Sequence, residues 1–479
     1  MMPVLFGRLS IAALVAAACV ADSAGGQPIN WAVASDFRID RVATGLRMPV
    51  NIAFVPNAGP NPADPLYYIV ELYGSIQVVR RDGTRSTFAS GLLDYNPQGP
   101  ISGTGEQGLA GAVVERAPGD VYRLYVTMFW DNGSPPGATR HYPKVELMTS
   151  AAGGLSLASR VVLLNMQPET QGQSHQISNI TIGTDDKLYV HLGDGFDSST
   201  ALNLNQYRGK VLRMNKNGTP VASGDPAGAN PFYNAANGIG AQDYVFTYGH
   251  RNPFGGAWQR STGKHFIVEN GNALDRMVSL VSGASYGWAG NDTALNMLSL
   301  YVWNPAVAPV NIDFIQLSSF GGSRFPSTYH NRAYVSQSGP TYFNGAGTAT
   351  IKCITEFSDL VTLGTNGKLA VPPRTIARYN GTGRSTAVAL ASGPDGLYFS
   401  DFYEETGSGG ATGAGASIFR LRHFCPADFN GLGGLSVQDV FDFLAAYFAA
   451  SAQADFNASG ELTVQDIFDF LAAYFGGCV

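Results

Sequence analysis

The chain runs to 479 residues, of which 45% are hydrophobic, 11% aromatic and only 14% charged, with 58 glycines and a formal net charge of −6. That composition speaks against a disordered chain or a helical bundle and suits an all-β protein with many turns. The acidic balance speaks against a nucleic-acid partner, which needs a basic face, and the length exceeds one ordinary domain while allowing a large core.

Residues 1–24 read as an export signal. Arg8 precedes the apolar run Ile11 to Val20, and small residues follow at Ala21 and Ala24. The run is too short to span a bilayer, so the expectation is a secreted or periplasmic protein with no transmembrane segment. Cys19, after Ala16-Ala17-Ala18, keeps lipoprotein anchoring open as an alternative.

From residue 35 to 423 helical periodicity is nearly absent, and a degenerate unit recurs in which turn residues precede an aromatic-bearing β pair. Its copies are Leu66-Tyr67, Leu124-Tyr125, Leu188-Tyr189, His265-Phe266, Ala333-Tyr334 and Leu397-Tyr398. The clearest are Gly183-Thr184-Asp185-Asp186-Lys187-Leu188-Tyr189-Val190 and Gly393-Pro394-Asp395-Gly396-Leu397-Tyr398-Phe399, where turn residues stand just ahead of β-prone runs, as a hairpin requires. Six such units closing in a ring would hide their sheet edges, which predicts an all-β, six-bladed β-propeller over 35–423. A β-sandwich array with recurring tyrosines is the other reading.

Polar residues cluster in the turns of this region. Glu106 lies in Thr104-Gly105-Glu106-Gln107-Gly108-Leu109. His175 lies in Gln173-Ser174-His175-Gln176 just before a strand, and Asp194 follows at that unit's far end in Leu192-Gly193-Asp194-Gly195. A carboxylate that accepts a hydrogen bond from one imidazole nitrogen fixes the tautomer and raises the basicity of the other, so His175 is a candidate base. Arg251 and Asn252 occupy Tyr248-Gly249-His250-Arg251-Asn252-Pro253-Phe254-Gly255, and Arg251 offers a planar charge that never titrates away. Glu269-Asn270-Gly271-Asn272, Tyr286-Gly287-Trp288 and Trp303-Asn304-Pro305-Ala306-Val307-Ala308-Pro309 follow. Taken singly, each has a bland explanation: a loop histidine, a turn carboxylate, an inter-blade arginine.

From Cys425 the composition changes. Asp428-Phe429-Asn430 and Asp455-Phe456-Asn457 open two loops 27 residues apart, each leading into Val-Gln-Asp and a Phe-Asp-Phe-Leu-Ala-Ala-Tyr-Phe helix. Helical spacing puts Val440, Phe441, Leu444, Tyr447 and Phe448 on one face. Calcium loops of the EF-hand kind want oxygen ligands at positions 1, 3, 5, 9 and 12 with glycine at 6. Loop one offers Asp428, Asn430, Ser436 and Asp439 with Gly433, and has Leu432 at position 5. Loop two offers Asp455, Asn457, Ser459, Thr463 and Asp466 with Gly460. The pair over 425–479 resembles a dockerin-type module, which in that family docks onto a partner protein; a helical hairpin serving as a cap or sorting tag is the alternative. In an exported chain Cys425 and Cys478 are expected to form a disulfide, leaving Cys353 as a buried free thiol.

The turns from Glu106 to Trp303 closely resemble those of the soluble, PQQ-dependent glucose/sorbosone (aldose sugar) dehydrogenase family, and the resemblance spans roughly residues 40–422. It implies a six-bladed propeller that oxidises the C1 hydroxyl of an aldose to a lactone, with PQQ and calcium as cofactors. By the same resemblance His175 is the base and Asp194 its orienter. Arg251 and Asn252 contact the quinone, Glu106 faces it, and the backbone carbonyls of Gly271 and Asn272 bind the calcium. No Cys-x-x-Cys-His haem motif is present, so a separate electron acceptor is expected.

The chain departs from the family in three places. Arg276-Met277 stand where an acidic pair is usual, Ser178-Asn179 where Gly-Arg is usual, and Ala387-Val388-Ala389-Leu390-Ala391 where arginines grip the quinone carboxylates. Arg374, Arg378 and Arg384 are the nearest substitutes in sequence. A non-catalytic propeller that binds carbohydrate or protein is therefore the second expectation, and a metal-dependent lactonase on a similar propeller the third.

Overall fold

The computed structural model describes residues 29–95, 106–131, 141–170, 174–317, 323, 325–339, 352–381, 386–403, 414–431, 435–457 and 459–477. The expected export signal with Cys19, and also Thr104, Gly105, Gln173, Arg384, Leu432, Gly433 and Cys478, lie outside them.

Antiparallel sheets, six among the described residues, make the blades of a β-propeller. Blades one to four are four-stranded meanders within residues 49–89, 109–165, 177–248 and 255–303. Blade five, within 309–379, gains a fifth strand from Trp31–Val33, which pairs with Arg374–Tyr379. Blade six, within 387–423, takes its outermost strand from the chain start, Phe37–Leu46 paired with Ala416–His423. The start of the chain thus closes the ring and covers two sheet edges that would otherwise stay open. Among the described residues no helix is long and apolar enough to cross a membrane.

All six aromatic copies fall on the second strand of their blade, and each ring is buried. Two of them show why turn and ring recur as a unit. The Tyr189 hydroxyl donates to Asp185 Oδ2 (2.9 Å) and the Tyr398 hydroxyl to Asp395 Oδ1 (2.8 Å), so each buried phenol is satisfied by the turn carboxylate just before it. Gly183 is required by space: a Cβ there would stand 2.5 Å from the Tyr189 ring.

The first strand of each blade lines the axis. In blades one, three and five it bulges near Asn51, Asn179 and Asn311. At two of these bulges the asparagine side chain takes a freed amide, Ile180 N–H to Asn179 Oδ1 (2.9 Å) and Ile312 N–H to Asn311 Oδ1 (3.0 Å). These three asparagines form a waist between a chamber at one end of the axis and a second cavity at the other.

After the last strand, helices Val437–Phe448 and Val464–Gly476 pack on each other through Phe443 and Phe470, whose rings stack at 4.1 Å. The helix face differs from the expected one. Val440, Leu444 and Tyr447 pack inward with Phe443, whereas Phe441 and Phe448 are exposed. The two-residue offset of Phe441 from Phe443 is about 200° around a helix, so a ring buried at 443 turns 441 outward.

In the loops before these helices, Asp439 and Asp466 act as reciprocal caps. Asp439 Oδ2 accepts from Ser436 N–H (2.8 Å), and Asp466 Oδ2 from Thr463 N–H (2.7 Å). Asn430 and Asn457 donate to Asp442 and Asp469 (3.0 and 2.9 Å), and Asp455 accepts the Ser459 and Gly460 amides (2.9 and 2.8 Å). Asp428 stands at the start of the first loop, its own N–H bonded to the Cys425 carbonyl (3.0 Å). Cys425 is disulfide-bonded and Cys353 is a buried free thiol whose pKa burial pushes up to about 12.

Candidate active site at the axial opening

Glu106, His175 and Arg251 each stand just before the first strand of blades two, three and four. Antiparallel pairing returns the second strand to the same end of the ring, which places Asp194 and Asn270 beside them. The 19-residue interval from His175 to Asp194 is therefore one strand, one hairpin and a second strand.

Asp194 is the hub. Its Oδ1 accepts from His175 Nδ1 (2.6 Å) and from Phe196 N–H (3.0 Å), and its Oδ2 accepts from Trp288 Nε1 (2.7 Å). Its own N–H donates to the Arg251 carbonyl (2.7 Å). With Nδ1 donating to the carboxylate, Nε2 is the basic nitrogen of His175. Gly193 permits this closeness, because a Cβ there would lie 2.3 Å from the His175 carbonyl oxygen. His175 itself has φ +59°, a left-handed conformation rare outside glycine.

Arg251 lies 5.5 Å above the Trp288 ring, and its Nη1 donates to Asn270 O (3.0 Å). Burial pulls its pKa down against the attraction of Asp194, Asp292, Glu269 and Asp275. Among the described residues, Arg251 Nε and Asn252 Oδ1 are buried with no hydrogen-bond partner, which suits groups awaiting a ligand. Glu106 accepts from His175 N–H (2.8 Å) and from the Ser174 hydroxyl; burial pushes its pKa up. Trp288 was legible only as part of a motif, and nothing in its spacing announced the bond to Asp194.

Behind the site, Lys210 fixes the loop that carries Asp194. Its buried Nζ donates to the carbonyls of Thr200, Ala201 and Arg208 (2.8, 3.0 and 2.7 Å), and burial pulls its pKa to about 7.

Gly271 and Asn272 adjoin Asn270. Their amides donate to Asp275 Oδ1 (3.0 Å) and Asp292 Oδ1 (2.9 Å), while neither carbonyl accepts a hydrogen bond from a described residue. Two unengaged main-chain oxygens in an acidic neighbourhood fit calcium. Where an acidic pair is usual, buried Arg276 instead forms an ion pair with Glu269 (2.8 Å). No group of three or more His, Cys, Asp or Glu side chains is placed to hold a metal among the described residues.

The chamber, about 160 Å³, is lined by Glu106, Gln176, Asn270, Thr386, Val388 and Phe402 among others. His175 and Arg251 are not in that lining but flank it, beside Gln176 and Asn270. Glu106 is the one charged side chain among the described lining residues. The wall where arginines are usual is Thr386 and Val388. Arg374 does not replace them: it is held on the outer strands by Asp36 and Glu356 (2.7 and 2.6 Å), and Arg378 lies exposed on the same outer strand. The residues on the Arg251–Asn252 side would hold a quinone and calcium, and among the described residues the chamber lining carries no lysine or arginine.

A family profile described as Glucose / Sorbosone dehydrogenase matches residues 46–326. A Synechocystis sp. protein of uncharacterized function is 25% identical over 321 residues, 60% of this chain and 69% of its own. Quinoprotein glucose dehydrogenase B of Acinetobacter calcoaceticus is 32% identical over 136 residues, 24% of this chain and 26% of its own length. Among solved structures, an oxidoreductase of Thermus thermophilus provisionally identified as a glucose dehydrogenase superposes with a TM-score of 0.57 at 26% identity, covering 80% of this chain and 99% of its own.

Proposed function

Because the chain belongs to the glucose / sorbosone dehydrogenase family, we propose that it is an exported quinoprotein that oxidises the C1 hydroxyl of an aldose to a lactone. The observation that carries this reading is the His175–Asp194 contact at 2.6 Å beside Arg251 at the axial opening. His175 Nε2 takes the hydroxyl proton as C1 loses hydride. Asp194, whose other partners are neutral donors, steadies the imidazolium that forms. The Arg251 guanidinium, partly desolvated and with Nε unengaged, stabilises negative charge that develops beside it. PQQ, when bound, would supply the hydride acceptor, the Gly271 and Asn272 carbonyls would hold calcium, and a separate carrier would remove the electrons.

In this reading residues 1–24 are the export signal, 35–423 the catalytic propeller and 425–479 a dockerin-like module that recruits a protein partner. The disulfide at Cys425 supports an exported location. The 27-residue repeat of loop and helix supports the module, with calcium bound by Asp428, Asn430, Ser436 and Asp439 and by Asp455, Asn457, Ser459, Thr463 and Asp466.

One observation favours a second reading, a propeller that has lost PQQ and binds carbohydrate or protein. The chamber wall at Thr386 and Val388 offers no cation to a tricarboxylate. Titration of purified protein with PQQ and calcium, followed by dye reduction with several aldoses, separates the two. Quinone binding with aldose-dependent reduction supports the dehydrogenase, and saturating PQQ without either supports the binding module.

A further inference from the structure

Phe196, two residues after Asp194, is exposed to 61% although it is a large aromatic. It also has φ +67°, a left-handed conformation that residues other than glycine seldom adopt. Its N–H donates to Asp194 Oδ1 (3.0 Å), the oxygen that also holds His175. Its ring stacks on the His175 imidazole with centroids 4.1 Å apart and planes 29° apart. One face of the phenyl ring therefore covers the candidate base and the other faces solvent. Strain and exposure at the same residue, beside the reacting group, point to function.

We propose that Phe196 is a specificity-determining platform on which a second sugar unit stacks, so that the substrate is the reducing end of a di- or oligosaccharide. This rests on the dehydrogenase reading of the site. A pyranose presents a face of C–H groups that packs on an aromatic ring. A unit lying on the outer face of Phe196 is a full stacking layer beyond the imidazole plane, so its own C1 hydroxyl does not reach His175 Nε2. The reacting unit sits at the imidazole edge, and its neighbour in the chain covers Phe196.

The test compares glucose with cellobiose and maltose as substrates of PQQ- and calcium-loaded protein, for wild type, Phe196→Ala and Phe196→Trp. Phe196→Ala is expected to lower kcat/KM for the disaccharides about 3–10-fold more than for glucose, through KM, and to be rescued by Phe196→Trp. An equal fall for all three sugars, carried by kcat, means that Phe196 only props His175 and overturns the proposal. If loaded wild-type protein oxidises no sugar, the dehydrogenase reading fails on its own. The platform is then judged by NMR saturation transfer from cofactor-free protein to cellobiose. Transfer that is lost in Phe196→Ala upholds stacking, and no transfer in wild type overturns it.

Discussion

Two imidazole–carboxylate pairs of the same sequence spacing sit in neighbouring blades, and they differ in what else holds the carboxylate. His175 reaches Asp194 and His250 reaches Glu269, each through Nδ1 across 19 residues of strand, hairpin and strand. In the second pair His250 Nε2 is tied to Thr247 Oγ1 (3.0 Å), and Glu269 also binds Arg276 Nε and Nη2 (3.0 and 2.8 Å). Every member of that second cluster is fully buried. The Arg276 charge claims the carboxylate, and burial pulls the His250 pKa down. Asp194, by contrast, accepts its other hydrogen bonds among the described residues from neutral donors, Phe196 N–H and Trp288 Nε1. The motif is one product of blade geometry; the third partner of the carboxylate separates the pair proposed for catalysis from the pair that ties two strands together.

The sharpest way to break this comparison is to remove each imidazole's function in turn. His175→Ala should lower turnover by about 10²–10⁴ while cofactor uptake and unfolding midpoint stay near wild type. Equal turnover in mutant and wild type would remove His175 from the mechanism. Glu269→Gln should do the reverse, destabilising the fold by about 3–5 kcal/mol in denaturant titration because Arg276 is left as an uncompensated buried charge. A neutral result there would mean that the ion pair contributes little.

Acid sharpens the same contrast. Burial alone would raise Glu269, but Arg276 and His250 hold it at about 2, below its ordinary 4.5. Its stabilisation is present above pH 4.5 and is lost as pH falls toward 2. His250, with its folded pKa below the ordinary 6.5, acts in the same direction, because the unfolded chain takes up its proton first. Unfolding midpoints measured from about pH 7 to about pH 3 should fall, and Glu269→Gln should flatten the part of that fall below pH 4.5.

A smaller effect concerns the chamber wall. Val388→Arg or Thr386→Arg should tighten PQQ binding by about 10–100-fold, the value of one charge-assisted hydrogen bond of about 1.5–3 kcal/mol. Unchanged affinity in both would show that quinone carboxylates do not reach that wall.

Much of the fold was legible because ring closure imposes a repeat. Six aromatics on six second strands follow from a buried phenol or phenyl ring just past a tight turn, and four of the intervals between copies lie within 58–68 residues. The His175–Asp194 pair was legible through the same hairpin logic, which applies equally to His250 and Glu269, a pair the sequence reading passed over. Helix-face periodicity failed at Phe441 and Phe448, since a helix with apolar residues on more than one side does not say which side is buried. Phe196 was invisible for another reason: its place on His175 depends on a left-handed backbone after Gly195, which no spacing encodes. The shared burial of Arg276 with Glu269 was hidden because a lone arginine in a strand reads as a surface charge.

The central claim is that hydride leaves C1 of an aldose at the His175–Asp194 opening. Anaerobic mixing of PQQ- and calcium-loaded protein with ordinary and C1-deuterated aldose tests it directly, with quinone absorbance as the readout. The account predicts reduction of the bound quinone that is slower with deuterium at C1. A quinone that binds but stays oxidised under saturating aldose would contradict it.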